Sequence, residues 1–261
     1  MQPQISHKEI KFSYYNNTLT CFINKTNGVY IYDVDGKQYF DFLSAYSAIN
    51  QGHCHPRLIK TMTEQAQKLT LTSRAFHNDI LGNFCTYMSD LFRYEKILPM
   101  NTGVEGGETA NKLARKFAYR VKGIEKNKAV TLFAENNFWG RTIAAVSSST
   151  DPDAYQDYGP YLPGLNVIPY DDIDAFEKAT RDKNVCAYMV EPIQGEAGVV
   201  LPSPGYLKKV REICTDRNIL MIADEVQTGL GRTGRRLCVD YDNVRPDIVI
   251  LGKALSGGLY P

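Results

Sequence analysis

From residue 128 onward the chain repeats short, uninterrupted apolar runs: "KAVTLF" (128–133), "LNVIPY" (165–170), "VCAYMVE" (185–191), "NILMIADE" (218–225) and "DIVILGK" (247–253). Between many of them lie stretches with helical spacing of apolar positions, such as "DDIDAFEKATR" and "PGYLKKVREICTDRN". A strand that is apolar at every position is buried on both faces. The pattern therefore predicts an α/β fold, a mostly parallel sheet with helices on both faces. Earlier in the chain the pattern differs. "VYIYDVDGKQYFDFL" (29–43) alternates apolar and polar residues around Asp35-Gly36, which reads as a β-hairpin. Helical patterns follow over 56–69, opened by Pro56, and over 79–92. Two regions result: an N-terminal segment with the hairpin, 1–50, and a large domain, 51–261.

In parallel sheets ligands bind beyond the carboxyl ends of the strands. At those ends stand Glu191, the pair Asp224-Glu225, and Lys253. A polar residue ending an apolar strand is commonplace, and a lone lysine there is more often a surface cation whose stem packs on the sheet. Three such ends, one of them a lysine, suggest a site. Burial at a sheet rim lowers a lysine's pKa, and the neutral amine attacks carbonyls to form a Schiff base. A carboxylate on a neighbouring strand would complement it by keeping a heterocyclic nitrogen protonated, the arrangement that pyridoxal 5′-phosphate requires.

A phosphate site is also legible. "MNTGVEGGETANKLARKFAYR" (100–120) leads from a glycine-bearing turn into a helix with early acids and late bases, and free N–H groups at Gly103 and Val104 suit an anion. "NNFWGRT" (136–142) offers flat apolar faces at Phe138 and Trp139 and a carboxylate-binding fork at Arg141. Each of these alone has a plainer reading, as a turn, core aromatics and a surface arginine.

"GLGRTG" (229–234) fits the glycine spacing of a dinucleotide loop. The "RRLCVDYDN" that follows is no clear amphipathic helix, so no helix N-terminus is expected to receive a pyrophosphate, and an NAD-binding reading is disfavoured. Composition narrows the field further. Thirty Lys and Arg against 29 Asp and Glu leave a net charge of +1, with no global basic field for nucleic acid. No apolar run reaches membrane-spanning length. Six dispersed cysteines without a C-x-x-C suit a reducing compartment. His53-Cys54-His55 lacks a second ligand cluster, so no metal is expected.

"TGVEGGETANKLARK", "NNFWGRT", "EPIQGEAGV", "ADEVQTGLGRTGR" and "LGKALSGGLYP" together resemble the class III, fold-type-I pyridoxal-phosphate aminotransferases. "SAYSAINQGHCHP" (44–56) and the final motif are most similar to members of that class acting on L-ornithine. The resemblance runs from about residue 29 to the end. It implies pyridoxal 5′-phosphate as cofactor, with Lys253 as Schiff-base lysine and proton shuttle and Asp224 at the ring nitrogen. Gln227 would lie near the ring's phenolic oxygen, Gly103 and Val104 at the phosphate, and Phe138 with Trp139 against the ring. Tyr46 and Arg141 would hold the substrate, and Glu196 would pair with an arginine further along the family's chain. The implied reaction moves the δ-amino group of ornithine to 2-oxoglutarate, in a homodimer. Acetylornithine or another ω-amino acid is the alternative donor. A non-catalytic chain that only binds a full-length subunit is the alternative role.

Family members continue well past the position of Pro261 with an antiparallel strand and a small C-terminal domain, which are expected to be absent here. A substrate-binding tyrosine of the family's N-terminal region has Tyr14 or Tyr15 as its candidate counterpart. The N-terminus carries no secretory or transit signal, which reads as cytoplasmic, or as the mitochondrial matrix if a transit peptide is missing.

Overall fold

The computed structural model describes residues 22–73 and 75–260. Tyr14 and Tyr15 lie outside the described residues. All five apolar runs are strands: β4 (Val130–Ala134), β5 (Leu165–Ile168), β6 (Val185–Val190), β7 (Leu220–Asp224) and β8 (Ile248–Ile250). They form one sheet in the order β5-β4-β6-β7-β8, with every neighbouring pair parallel. The chain leaves β4 for β5 on one side and crosses back to place β6 on the other. This reversal opens a crevice at the carboxyl ends.

The continuous apolar runs have a direct cause. Successive side chains of a strand point to opposite faces, and both faces are covered. Leu132, Tyr188, Met221 and Ala223 pack on one side with Val210 and Cys214 of α5 (Tyr206–Asp216) and Phe176 of α4 (Ile173–Ala179). Phe133, Met189 and Ile222 pack on the other. There they meet Ala110, Ala114 and Ala118 of α3 (Gly103–Arg120), a stripe of small residues at four-residue spacing that lets the helix lie close to the sheet.

The predicted hairpin is β2 (Tyr30–Asp33) and β3 (Gln38–Phe40). A further strand, β1 (Ile23–Asn27), pairs antiparallel with β2 and makes a three-stranded sheet. It lies on "INKTN", whose polar composition and mostly exposed positions carry no hydrophobic alternation to announce it. The two predicted helices are α1 (Pro56–Lys68) and α2 (Leu81–Phe92). No helix among the described residues is long and apolar enough to cross a membrane.

One polar side chain ties helices to the sheet. The Lys122 ammonium donates to the carbonyls of Val185, Arg217 and Asn218, at the start of β6 and just after α5. Partial burial lowers its pKa. Lys122→Met leaves those carbonyls without their shared donor and is expected to cost about 1–3 kcal/mol. Chemical denaturation of both proteins at neutral pH measures the difference.

Candidate active site

Asp224 is the last residue of β7 and Lys253 follows β8 by three positions. Because Asp224 pairs with Ile250 across the parallel ladder, both side chains belong to the same end of adjacent strands. Asp224 is buried, and its Oδ1 accepts the Val226 N–H at 3.0 Å. Burial pushes its pKa up to about 6, against the Val226 N–H and the Lys253 charge, which favour the ionised form. Burial also lowers the pKa of Lys253, partly offset by the negative charges of Glu196, Asp224 and Glu191. A carboxyl and an amine thus share one poorly hydrated site, each displaced toward its neutral form. Lys253 also carries a left-handed backbone, φ +42°, uncommon for a side-chain-bearing residue and typical of strain held at functional sites.

Gly252 and Gly103 bring the backbone just before Lys253 close to the start of α3. A Cβ on Gly252 would lie 3.6 Å from the Gly103 Cα and 3.1 Å from a Val226 methyl; one on Gly103 would meet the same methyl at 3.0 Å. The α3 N-terminus is closed by a capping box. Thr102 Oγ1 accepts the Glu105 N–H, Glu105 Oε2 accepts the Thr102 N–H, and the Thr102 carbonyl accepts the Gly106 N–H. The Gly106 bond is the first within the helix; of the four N–H groups that a helix start leaves over, the capping box uses those of Thr102 and Glu105. Those of Gly103 and Val104 remain, at the positive end of the helix dipole.

The loop after β4 rests on this turn. Gly140, at φ +142°, packs against Val104 so tightly that a Cβ would fall 2.2 Å from a Val104 methyl. Gly140→Ala is therefore expected to displace the α3 N-terminus, costing about 1–3 kcal/mol of stability and about tenfold in phosphate-dependent cofactor affinity. A cofactor titration alongside thermal melting reads both. In the same loop the Phe138 N–H donates to Glu191 Oε2 at 3.1 Å, and the Arg141 guanidinium lies 5.8 Å from the Phe138 ring centroid. Glu191 has its pKa raised by burial and by the nearby Asp224 charge.

Trp139 departs from the role expected of it. It is buried, stacks on Phe133 with centroids 5.5 Å apart, and donates its N–H to Ser148 Oγ at 2.8 Å. Gly107 of α3 lies against it, where a Cβ would fall 2.4 Å from the indole. Adjacent residues in an extended loop point opposite ways, so with Phe138 at the surface Trp139 turns into the core and has no free face for a ligand.

The mouth is polar and open. Gln227 Nε2 donates to the Tyr46 carbonyl at 3.3 Å and to Glu196 Oε1 at 3.1 Å, which brings three expected residues together. Tyr46 belongs to an unusual turn: Ser44, Ala45, Tyr46 and Ser47 have φ of 52, 48, 57 and 70°. Successive left-handed residues with side chains cost roughly 1–2 kcal/mol each, so the surrounding bonds must hold the turn in place.

Glu225, beside Asp224, has a different task. It is fully buried, accepts from the Thr228 hydroxyl and the Val239 N–H, and anchors the loop between β7 and β8. The "GLGRTG" glycines lie in that loop as a turn, with Leu230 and Gly231 N–H groups on the Arg236 and Arg235 carbonyls. A short 3-10 turn, Cys238–Asp242, follows in place of an α-helix. His53 Nε2 hydrogen-bonds with Asp41 Oδ2 at 2.6 Å, and Cys54 contacts Thr26. Val226, wedged between Gly103 and Gly252, is the site residue that sequence reasoning passed over; its position directly after the carboxylate pair was the available signal.

The donor set fits pyridoxal phosphate: a buried carboxyl for a ring N–H, an amine of lowered pKa for an aldehyde, and two remaining helix-start N–H groups for a phosphate. Fold and site together define an α/β protein whose parallel sheet presents a buried carboxyl and an amine of lowered pKa at adjacent strand ends, beside an open helix N-terminus. The class-III aminotransferase model matches residues 12–261, and the chain belongs to that family. It is 61% identical to the mitochondrial ornithine aminotransferase of Drosophila ananassae, covering 97% of this chain and 59% of that protein. To the mitochondrial ornithine aminotransferase of Rattus norvegicus it is also 61% identical, over 98% of this chain and 59% of the relative. The ornithine aminotransferase structure of Toxoplasma gondii, reported with partial occupancy of PLP at its active site, superimposes with a TM-score of 0.95 at 50% identity, covering 97% of this chain and 59% of that one. The chain thus spans about three fifths of the length of these relatives.

Proposed function

We propose that this chain carries the catalytic lysine and cofactor cradle of a pyridoxal-phosphate-dependent aminotransferase that moves the δ-amino group of L-ornithine to 2-oxoglutarate, giving glutamate 5-semialdehyde and glutamate. The observation that carries the reading is the pair Asp224 and Lys253 on adjacent strand ends, beside the open N–H groups of Gly103 and Val104. The ornithine names of relatives at 61% identity support this donor over acetylornithine.

Pyridoxal phosphate, when bound, supplies an electron sink for the substrate carbon. The chain's residues do the rest. Gly103 and Val104 N–H groups would hold the phosphate. Asp224 would set a negative charge beside the ring nitrogen and so favour its protonated form. Phe138 and Gln227 would complete the cradle for the ring. Lys253, shifted toward its neutral form by burial, would be the amine that meets the cofactor's aldehyde and would serve as the proton carrier beside it. Arg141 offers a two-pronged donor to a substrate carboxylate. Tyr46 and Glu196 line the mouth through which the donor enters, and Gln227 holds Glu196 there.

A homodimer and a reducing compartment, the cytosol or the mitochondrial matrix, belong to the same proposal; the animal relatives are named mitochondrial. The described cysteines Cys54, Cys85, Cys186, Cys214 and Cys238 are free thiols. The test is spectroscopic. Purified protein with pyridoxal phosphate is expected to show a visible absorption band that borohydride removes and ornithine discharges. A band that acetylornithine discharges and ornithine does not would change the donor; no band at all would overturn the reading.

A further inference from the structure

We propose that Asp41 and His53 are positioning residues for the amino donor, acting by holding the left-handed turn Ser44–Ser47 that carries Tyr46. The inference rests on the aminotransferase reading and adds to it the device that sets the substrate-facing turn.

The bonds form one chain of support. His53 is clamped through its backbone, its N–H on the Gly28 carbonyl at 2.8 Å and its carbonyl accepting the Gly28 N–H at 3.0 Å. Its Nε2 meets Asp41 Oδ2 at 2.6 Å, with the two side chains 17% and 11% exposed. The other Asp41 oxygen accepts the N–H groups of Leu43 and Ser44 at 3.0 and 2.8 Å, at the entry of the turn. The exit is closed on Ser44, whose carbonyl accepts from Ala48 and Ile49 and whose hydroxyl donates to the Ile49 carbonyl. Beyond it, Asn50 Nδ2 donates to the Leu230 carbonyl, fixing the segment to the loop after β7. The far side of the turn delivers the Tyr46 carbonyl to Gln227, which also holds Glu196.

Four consecutive side-chain-bearing residues in the left-handed region do not persist by local preference. Asp41 supplies the entry bonds, and His53 holds Asp41 in the rotamer that makes them. Without either residue the turn relaxes toward ordinary backbone. Tyr46 and the Gln227–Glu196 pair then lose their setting, while Lys253, Asp224 and the phosphate turn keep theirs.

The test uses Asp41→Asn and His53→Asn in the purified protein, each alone and combined with Ala45→Gly. Both single variants are expected to keep the cofactor's visible band, to raise the KM for ornithine about tenfold, and to lower kcat less than threefold. Ala45→Gly is expected to restore KM in both backgrounds, since glycine adopts positive φ without support, and to raise their melting temperatures more than that of the parent. Should Asp41→Asn fail to fold, His53→Asn carries the test, because it leaves the Asp41 bonds to Leu43 and Ser44 available. An unchanged KM, a parallel loss of band, kcat and affinity, or no rescue by glycine would overturn the proposal. A parent protein without the band overturns the aminotransferase reading instead, and the melting-temperature coupling still tests how the turn is held.

Discussion

Lys253→Ala is expected to lower ornithine-dependent turnover about 10⁴-fold or more and to abolish the visible band of the cofactor-loaded protein, while leaving the fold intact. The magnitude follows from removing the nucleophile of a covalent mechanism together with its proton carrier. The fold survives because Lys253 is only half-buried and the charges near it, Glu196, Asp224 and Glu191, are attached to strands and loops anchored by other bonds. Cofactor binding should weaken without vanishing, since the phosphate turn at Gly103 and Val104 is untouched. Single-turnover assays, absorbance and thermal melting separate these three outcomes. Turnover within tenfold of the parent would remove Lys253 from the chemistry and leave its position at the strand end unexplained.

Asp224→Asn is the second large effect, and it reads out twice. With cofactor, a neutral amide cannot keep the ring nitrogen protonated, and kcat is expected to fall about 10²–10³-fold. Without cofactor, the same substitution should change stability in a pH-dependent way. Asp224 ionises near pH 6 in the folded protein, against an ordinary value of 3.8. Between those values the unfolded chain releases its proton while the folded chain retains it, so folded-state stability falls as pH rises. Above about pH 6 the loss is complete, at most about 3 kcal/mol. The substituted amide does not titrate. The cofactor-free variant should therefore gain stability relative to the parent on going from pH 4 to pH 7. A constant difference across that range would mean that Asp224 is not held in the low-polarity setting described.

Most of the sheet was legible because burial on both faces leaves an unmistakable pattern. The run "VCAYMV" is buried at every position, as is "MIAD" within "NILMIADE", and the polar residues ending them marked the site. The α3 start was equally readable, from its glycine-bearing turn and the early acids and late bases of the helix that follows. What escaped was held by tertiary bonds rather than local preference. The strand β1 is polar and mostly exposed, and exists because β2 offers it an edge. The Ser44–Ser47 turn contains no glycine to announce a positive φ; its stability comes from Asp41, several residues away from the far end of the turn. A sequence does not tell which of two adjacent aromatics faces inward, so the expectation at the ring covers Trp139 as well as Phe138. The small residue opposite, Gly107, decides it by making room for the indole.

The contact among Gly103, Val226 and Gly252 has a consequence for anyone redesigning this scaffold. On the proposed reading, anchor and warhead share one joint: the Val226 side chain packs between Gly103, at the proposed phosphate turn, and Gly252, directly before Lys253. Neither can be shifted to suit a longer or shorter ligand without dragging the other. New specificity is therefore best sought at the exposed rim, around Tyr46, Arg141 and Glu196, where replacements leave that joint undisturbed.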